Sequence, residues 1–196
     1  MEQLSLKEEK HRVRRELRET AARFSKNYVA EASRAVCDTV LKSGEFQKAV
    51  VVFGYLSFRN EISVDAVLKE ALRLGKTVAV PWIVSKTEMK AALLNSLDNL
   101  PVDCYGIRTA PEPVKLVEPG NIDLALVPGA GFSPNGCRVG RGAGFYDRFL
   151  VQTCGFRLGI TCDKLLRETI PVDEYDQPVE ALVTETKFIY CYDANR

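Results

Sequence analysis

"AVVVFGYLSFRNEISVDAVLKEALRLGKTVAVPWI", residues 49–83, sets two apolar runs on either side of one amphipathic stretch. The runs at 49–57 and 76–83 show little alternation of polar and apolar residues, the pattern of strands buried on both faces. Between them, residues 63–75 repeat apolar side chains at helical spacing, with Ser63 placed to cap the start and Gly75 to stop the end. Strand, helix and strand at this separation predict a βαβ unit, in which the strands run parallel and the helix crosses one face.

The alternation continues in both directions. "IDLALVPG" at 122–129 reads as a further buried strand, a helix begins near Gly144, "FRLGIT" at 156–161 is another strand, and "VEALVTE" and "KFIYCY" close the set. Toward the N-terminus, Ser5 and Glu8 make a capping box ahead of Val13, Leu17, Ala21, Phe24 and Tyr28, which predicts a long helix. A second helix restarts at Ser25, carries Val29, Ala32, Val36 and Val40, and ends at a Gly44 cap. The Pro-rich stretch 108–121 reads as a surface loop. The whole predicts an α/β fold: a single three-layer α/β/α domain over residues 1–196, with a mostly parallel sheet and a long N-terminal helix.

Composition narrows the chemistry. Among the 196 residues, 27 basic side chains face 26 acidic ones, so any electrostatic binding site has to be built locally. This argues against a dedicated nucleic-acid or membrane-surface protein, and no segment approaches a membrane span or a secretory leader. A cytoplasmic monomer or weak homodimer is the expectation. The six cysteines, at 37, 104, 137, 154, 162 and 191, include no C-x-x-C pair and read as free thiols. The single histidine, His11, lies in a charged helix, so Ser-His-Asp, Cys-His and multi-histidine metal chemistry are nearly excluded.

Chemistry is carried by "GCRVGRGAGFYDRFL", residues 136–150, which leaves the carboxyl end of a predicted strand, where open α/β sheets bind ligands. Three of its glycines, Gly140, Gly142 and Gly144, follow G-x-G-x-G spacing and fit neither the Rossmann nor the Walker pattern. Backbone N–H groups freed of Cβ obstruction, together with a helix start, suit an anion, and Arg138 and Arg141 could fork onto a polyphosphate. A plain glycine-rich turn with solvated arginines is the alternative. Asp147, in the first turn of the following helix, could meet a Mg²⁺ bridging phosphates or simply complement the helix dipole. Lys10 and Arg14, four apart on the N-terminal helix, share a face that could close on phosphates, or could be solvated among Glu8, Glu9, Glu16 and Glu19.

Taken together, the segments "KHRVR" (10–14), "YLSFRNEIS" (55–63), "GKTVAVPWI" (75–83), "LVPGAGFSPNGCRVGRGAGFYDRFL" (126–150) and "LGITCDKLLRETIPVDEYDQPVEALVTE" (158–185) resemble the 5-formyltetrahydrofolate cyclo-ligase family, also called 5,10-methenyltetrahydrofolate synthetase. The resemblance implies conversion of 5-formyltetrahydrofolate to 5,10-methenyltetrahydrofolate with ATP as co-substrate and Mg²⁺ as cofactor, releasing ADP and phosphate. Carried over by position, Lys10, Arg14, Arg138, Gly140, Arg141, Gly142, Ala143, Gly144, Phe145 and Tyr146 would contact ATP. Leu56, Glu61, Tyr105, Arg141 and Phe145 would contact the folate, Arg141 would act in catalysis, and Asp147 and Glu180 would hold the metal. The family chemistry suits a site without histidine, because phosphoryl transfer to a formyl oxygen needs positioning and charge stabilisation more than a covalent nucleophile.

The chain departs from the family pattern in places. Glu180 stands for the usual Asp, Phe145 for a Tyr, and Ala143 for a Lys or Gly. "GIRTAPEP" at 106–113 lacks the Glu-Pro that follows "GI", and Cys162 and Leu165 replace an aromatic and a Gln. These bear on rate and folate affinity more than on reaction class. Two other readings stay open on the residues alone: a sugar-phosphate or acyl-CoA enzyme on a similar scaffold, and a non-catalytic nucleotide- or RNA-binding domain.

Overall fold

The computed structural model describes residues 5–103 and 106–191. In chain order the elements are α1 (Leu6–Ala22), α2 (Lys26–Lys42), α3 (Gly44–Lys48), β1 (Val51–Phe53), α4 (Asp65–Arg73), β2 (Thr77–Ile83), β3 (Met89–Leu94) and β4 (Leu116–Val117). There follow β5 (Leu124–Pro128), β6 (Gly131–Phe132), β7 (Arg138–Val139), α5 (Phe145–Leu150), β8 (Phe156–Ile160), β9 (Ala181–Val183) and β10 (Phe188–Tyr190).

Residues 49–83 form the expected βαβ unit: β1 pairs parallel with β2, Val51 opposite Thr77, and α4 makes the crossover. Around it the main sheet runs β10-β9-β8-β5-β1-β2-β3-β4. Its five central strands are parallel, while β10, β3 and β4 join antiparallel at the edges. The strands are apolar on both sides because both sides are covered. Val52, Val78, Leu124, Leu126, Leu158 and Val183 pack under α1, α2 and α4, whereas Phe53, Ala79, Ala125, Val127 and Leu182 meet Phe149 and Leu150 of α5. Three layers result, as expected.

The capping box at Ser5 and Glu8 is present, and Ser25 caps α2 by accepting the Tyr28 N–H. Gly75 ends α4 in the left-handed conformation, with φ of 75°, while the N–H of Lys76 reaches back to the Ala71 carbonyl. Other expectations need correction. Gly44 does not cap α2 but opens α3, because the Ser43 hydroxyl accepts the Phe46 N–H and starts a new helix there. Ser63 stands two residues before α4; its hydroxyl accepts the Asp65 N–H, and Val64 occupies the capping position without a side-chain bond. The stretch 108–121 is not all loop: β4 lies within it, and Ala110 is buried. The helix after Gly144 has only six residues, so its dipole adds little and the arginines carry the local charge.

The chain order fixes where a cleft must open. From β1 the chain moves to β2 on one side, and from β5 to β8 on the other, so adjacent β1 and β5 diverge at their carboxyl ends. This is the switch point at which sheets of this kind bind ligands.

Candidate functional site

A cavity of about 350 Å³ opens at that switch point. Its floor is the carboxyl end of three parallel strands: Tyr55 after β1, Pro128–Ala130 from β5, and Ile160–Cys162 from β8. Its lid is α1, which contributes Arg14, Leu17, Arg18 and Ala21. Leu17 is fully buried, worth about 1.5–3 kcal/mol for a side chain of that size. It can descend onto the sheet because residue 131 is glycine: a Cβ there would stand 2.7 Å from Leu17 Cδ1 and from the Leu165 carbonyl oxygen.

One half of the cavity is apolar, with Leu17, Phe24, Ile62, Ile160 and Leu165; the other presents Arg14, Arg59, Glu61 and Arg141. Tyr55 is buried in the floor and donates its hydroxyl to the Ile62 carbonyl at 2.5 Å, and burial pushes its ionisation well up. Thr161, 2% exposed, also lines the cavity, and its hydroxyl is without a hydrogen-bond partner among the described residues. A planar ligand with an apolar body and polar edges matches this division.

The glycine loop forms the polar wall. The Arg14 Nε donates to the Gly140 carbonyl at 3.0 Å, tying the lid helix to the loop. Arg138 is buried against Asp147, Nη2 to Oδ1 at 2.6 Å, and its guanidinium lies 5.7 Å from the Tyr146 ring centre. Burial keeps the Tyr146 hydroxyl protonated far above its ordinary range. Gly142 and Gly144 hold φ of 109° and 67°, which L side chains rarely adopt, so the loop reverses at those points. Arg148, which the sequence reading left without a role, braces the loop: Nη2 donates to the Ala143 carbonyl and Nε to the Thr87 carbonyl of the β2–β3 turn, both at 2.7 Å.

Arg141 reaches Glu61 at 2.5 Å. Glu61 is set by a tight turn in which its Oε2 accepts the Phe58 N–H at 2.8 Å and Arg59 takes a left-handed φ of 55°. Burial raises the Glu61 carboxyl above its usual range, and the neighbouring Arg141 and the Phe58 N–H pull the other way without cancelling it. Lys10, near the start of α1, is buried between Asp173, at 2.6 Å, and Asp176. Burial lowers the ammonium pKa, but the two carboxylates outweigh it and the net shift is upward; Lys10 in turn holds Asp173 below its ordinary value. Sequence reasoning missed both aspartates. Their spacing in "PVDEYD" was visible, but the pairing with Lys10 spans more than 160 residues.

The structure therefore brings Arg14, Glu61, Gly140 and Arg141 to one cavity; Lys10, Arg138, Gly142, Ala143, Gly144, Phe145, Tyr146 and Asp147 do not line it and stand on neighbouring turns of α1, the loop and α5. Leu56 is buried in the core under the helices and does not line the cavity. Glu180 precedes β9, where its Oε2 accepts the Arg157 N–H at 2.7 Å, three residues before the Ile160 that reaches the cavity, or ~10 Å along a strand. Tyr105 lies outside the described residues. Among the described residues no group of three or more His, Cys, Asp or Glu side chains is arranged to cage a metal, and no helix is long and apolar enough to cross a membrane. The five described cysteines are free.

The family profile described as 5-formyltetrahydrofolate cyclo-ligase family matches residues 6–185. A Caenorhabditis elegans protein named probable 5-formyltetrahydrofolate cyclo-ligase is 30% identical, covering 94% of this chain and 97% of that protein. An Arabidopsis thaliana protein named 5-formyltetrahydrofolate cyclo-ligase, mitochondrial, is 28% identical over 92% of this chain and 75% of its own length. The NMR structure of an Aquifex aeolicus 5,10-methenyltetrahydrofolate synthetase superposes with a TM-score of 0.84 at 27% identity, covering 95% of each chain. These likenesses span the lid helix, the Glu61 turn and the glycine loop alike: the chain belongs to the 5-formyltetrahydrofolate cyclo-ligase family and is an enzyme of the ligase class.

Proposed function

We propose that the protein converts 5-formyltetrahydrofolate and ATP to 5,10-methenyltetrahydrofolate, ADP and phosphate, with Mg²⁺ required. The observation that carries this reading is the joining of two chemically different walls in one cavity, the arginine- and glycine-rich loop around Arg141 and the carboxylate of Glu61. The loop suits a polyphosphate, and Glu61 beside an apolar floor suits the polar edge of a reduced folate.

Arg14 and the loop residues 138–146 would hold the triphosphate, with Lys10 at the far end of the same helix face. The formyl oxygen attacks the γ-phosphorus as the bond to the ADP oxygen breaks, and Arg141 meets the charge shared among the phosphoryl oxygens. The product is an iminium phosphate on N5. N10 of the same folate then adds to the formyl carbon, loses its proton, and phosphate leaves, closing the ring. The chain's task is to keep N10 and the formyl carbon close and water out, which the Leu17 lid and the apolar floor favour. The Thr161 hydroxyl is positioned to bond a folate heteroatom.

The acidic side chains present fit Mg²⁺, which is commonly held by one or two carboxylates together with substrate phosphates. Asp147 would hold it, since both its bonds among the described residues, from Arg138 and from the Gln177 N–H, go to Oδ1. Neither other acid is as open: Glu180 Oε2 accepts the Arg157 N–H, and Asp176 Oδ2 is taken by Lys10 and the Asp173 N–H. When bound, Mg²⁺ neutralises charge on the phosphates. The proposed setting is the cytoplasm, as a single domain acting on small molecules as monomer or weak homodimer, without nucleic acid or membrane.

Purified protein mixed with 5-formyltetrahydrofolate, ATP and Mg²⁺ should develop the near-ultraviolet absorbance of methenyltetrahydrofolate. Chelation should stop it and added Mg²⁺ restore it. No ATP-dependent product would sink the reading.

A further inference from the structure

Arg141 and Glu61 stand 80 residues apart in the chain; Glu61 is expected to meet the folate and Arg141 both the folate and the nucleotide, yet here each takes up the other. The pair is not symmetric. The Arg141 side chain is 55% exposed and rests over the Phe58 ring at 5.8 Å, so it can swing outward without opening the core. The Glu61 side chain is 21% exposed and is pinned by the Phe58 N–H, so it stays where it is. A half-buried carboxylate that loses its cation needs replacement donors. The aminopyrimidine edge of a reduced folate offers adjacent N–H donors much like the fork of a guanidinium, so it can take over the Glu61 oxygens as Arg141 leaves.

We propose that Glu61 is a positioning residue that couples the two substrates: it holds Arg141 back from the nucleotide until the folate occupies its carboxylate and releases the guanidinium to the γ-phosphate. This rests on the substrate assignment proposed above. Three consequences distinguish it from simple substrate contact. Nucleotide binds more tightly with folate present than without. By linkage, folate gains the same factor from nucleotide. Removing the Glu61 charge frees Arg141 and strengthens nucleotide binding even when no folate is there.

The test is calorimetric titration with the Mg²⁺ complex of a non-hydrolysable ATP analogue, with and without saturating 5-formyltetrahydrofolate. Wild type should show about a tenfold gain from the folate, within the range usual for coupled sites. Glu61→Gln should bind the analogue several-fold more tightly than wild type in the absence of folate, and Arg141→Ala should bind it weakly and indifferently to folate. Thermal melts of each variant identify any that fails to fold. Should Glu61→Gln misfold, Glu61→Ala and the wild-type folate ratio serve in its place. A folded wild type that makes methenyltetrahydrofolate but shows a ratio of one overturns the coupling alone. So does a folded Glu61→Gln that binds the analogue no more tightly than wild type. Absence of any ATP-dependent product would instead overturn the assignment on which the coupling rests.

Discussion

Arg138 and Asp147 pair at 2.6 Å but share the burial unequally, with the arginine side chain 3% exposed and the aspartate 20%. Removing the aspartate charge strands a guanidinium that water cannot reach, and whose Nε already has no partner among the described residues. Removing the arginine leaves a carboxylate that touches solvent and keeps the Gln177 N–H at 3.3 Å. Breaking a buried ion pair from one side costs about 3–5 kcal/mol. Asp147→Asn belongs at the low end, about 3 kcal/mol, because the amide oxygen still accepts a bond. Arg138→Met, which keeps the apolar stem, should cost about 1 kcal/mol, and the double variant should fall near Arg138→Met rather than at the sum. In a chain of this size each kcal/mol moves the melting midpoint by about 2–4 °C. Thermal unfolding followed by circular dichroism at neutral pH, with chelator and without nucleotide, should therefore place Asp147→Asn about 9 °C below wild type. The other two variants should melt about 3 °C below wild type. Equal losses for the two single variants, or the larger loss for Arg138→Met, would refute the reasoning.

Arg141→Ala should lower kcat by about 10²-fold or more, as for lost transition-state donors, while its pair with the half-buried Glu61, open to solvent on the arginine side, contributes only about 1 kcal/mol to stability. Turnover equal to wild type would move the phosphoryl contact elsewhere. Gly144→Ala should destabilise by about 1–2 kcal/mol in a denaturant titration, the cost of a left-handed backbone with a Cβ, which here would also stand 2.7 Å from Arg148 Nη1. An unchanged midpoint would count against the loop geometry. Asp173 is held below its ordinary 3.8 by the Lys10 ammonium first and the Tyr175 N–H second, so its contribution is present above that value and fades as pH falls through the lowered pKa. Lys10→Met should shift Asp173 back up and flatten the acid limb of stability against pH; an acid limb that overlays wild type would contradict the pairing.

Much of the fold was legible because the strands are buried on both faces and so read as unbroken apolar runs. The βαβ unit, the strands at 122–129 and 156–161, and both N-terminal helices follow from such runs and from caps that act within four residues. What escaped is less local. Met89–Leu94 turns back antiparallel beside β2, and so short a stretch, interrupted by Lys90, does not announce its partner. β4 has two residues, too few for any period. Gly44 and Ser63 were read as caps from residue type alone, whereas capping depends on which hydroxyl reaches which N–H. For the site, the loop could be located from its glycines and its place after a strand. The internal pairing of its charges could not: Arg141 with Glu61, Lys10 with Asp173 and Asp176, and the Arg148 brace are set by folding distant segments together.

The lid helix has a consequence for how the molecule is made. α1 is made well before its anchors: the Gly140 carbonyl is 126 residues downstream of Arg14, and Asp173 is 163 beyond Lys10. During synthesis α1 has an apolar stripe and no surface to lay it on until the strands it covers and the 163–165 turn have followed. The cleft is completed only when the 173–176 loop meets Lys10. Any shortening that removes the 173–176 loop unfastens Lys10 and, with it, the start of α1.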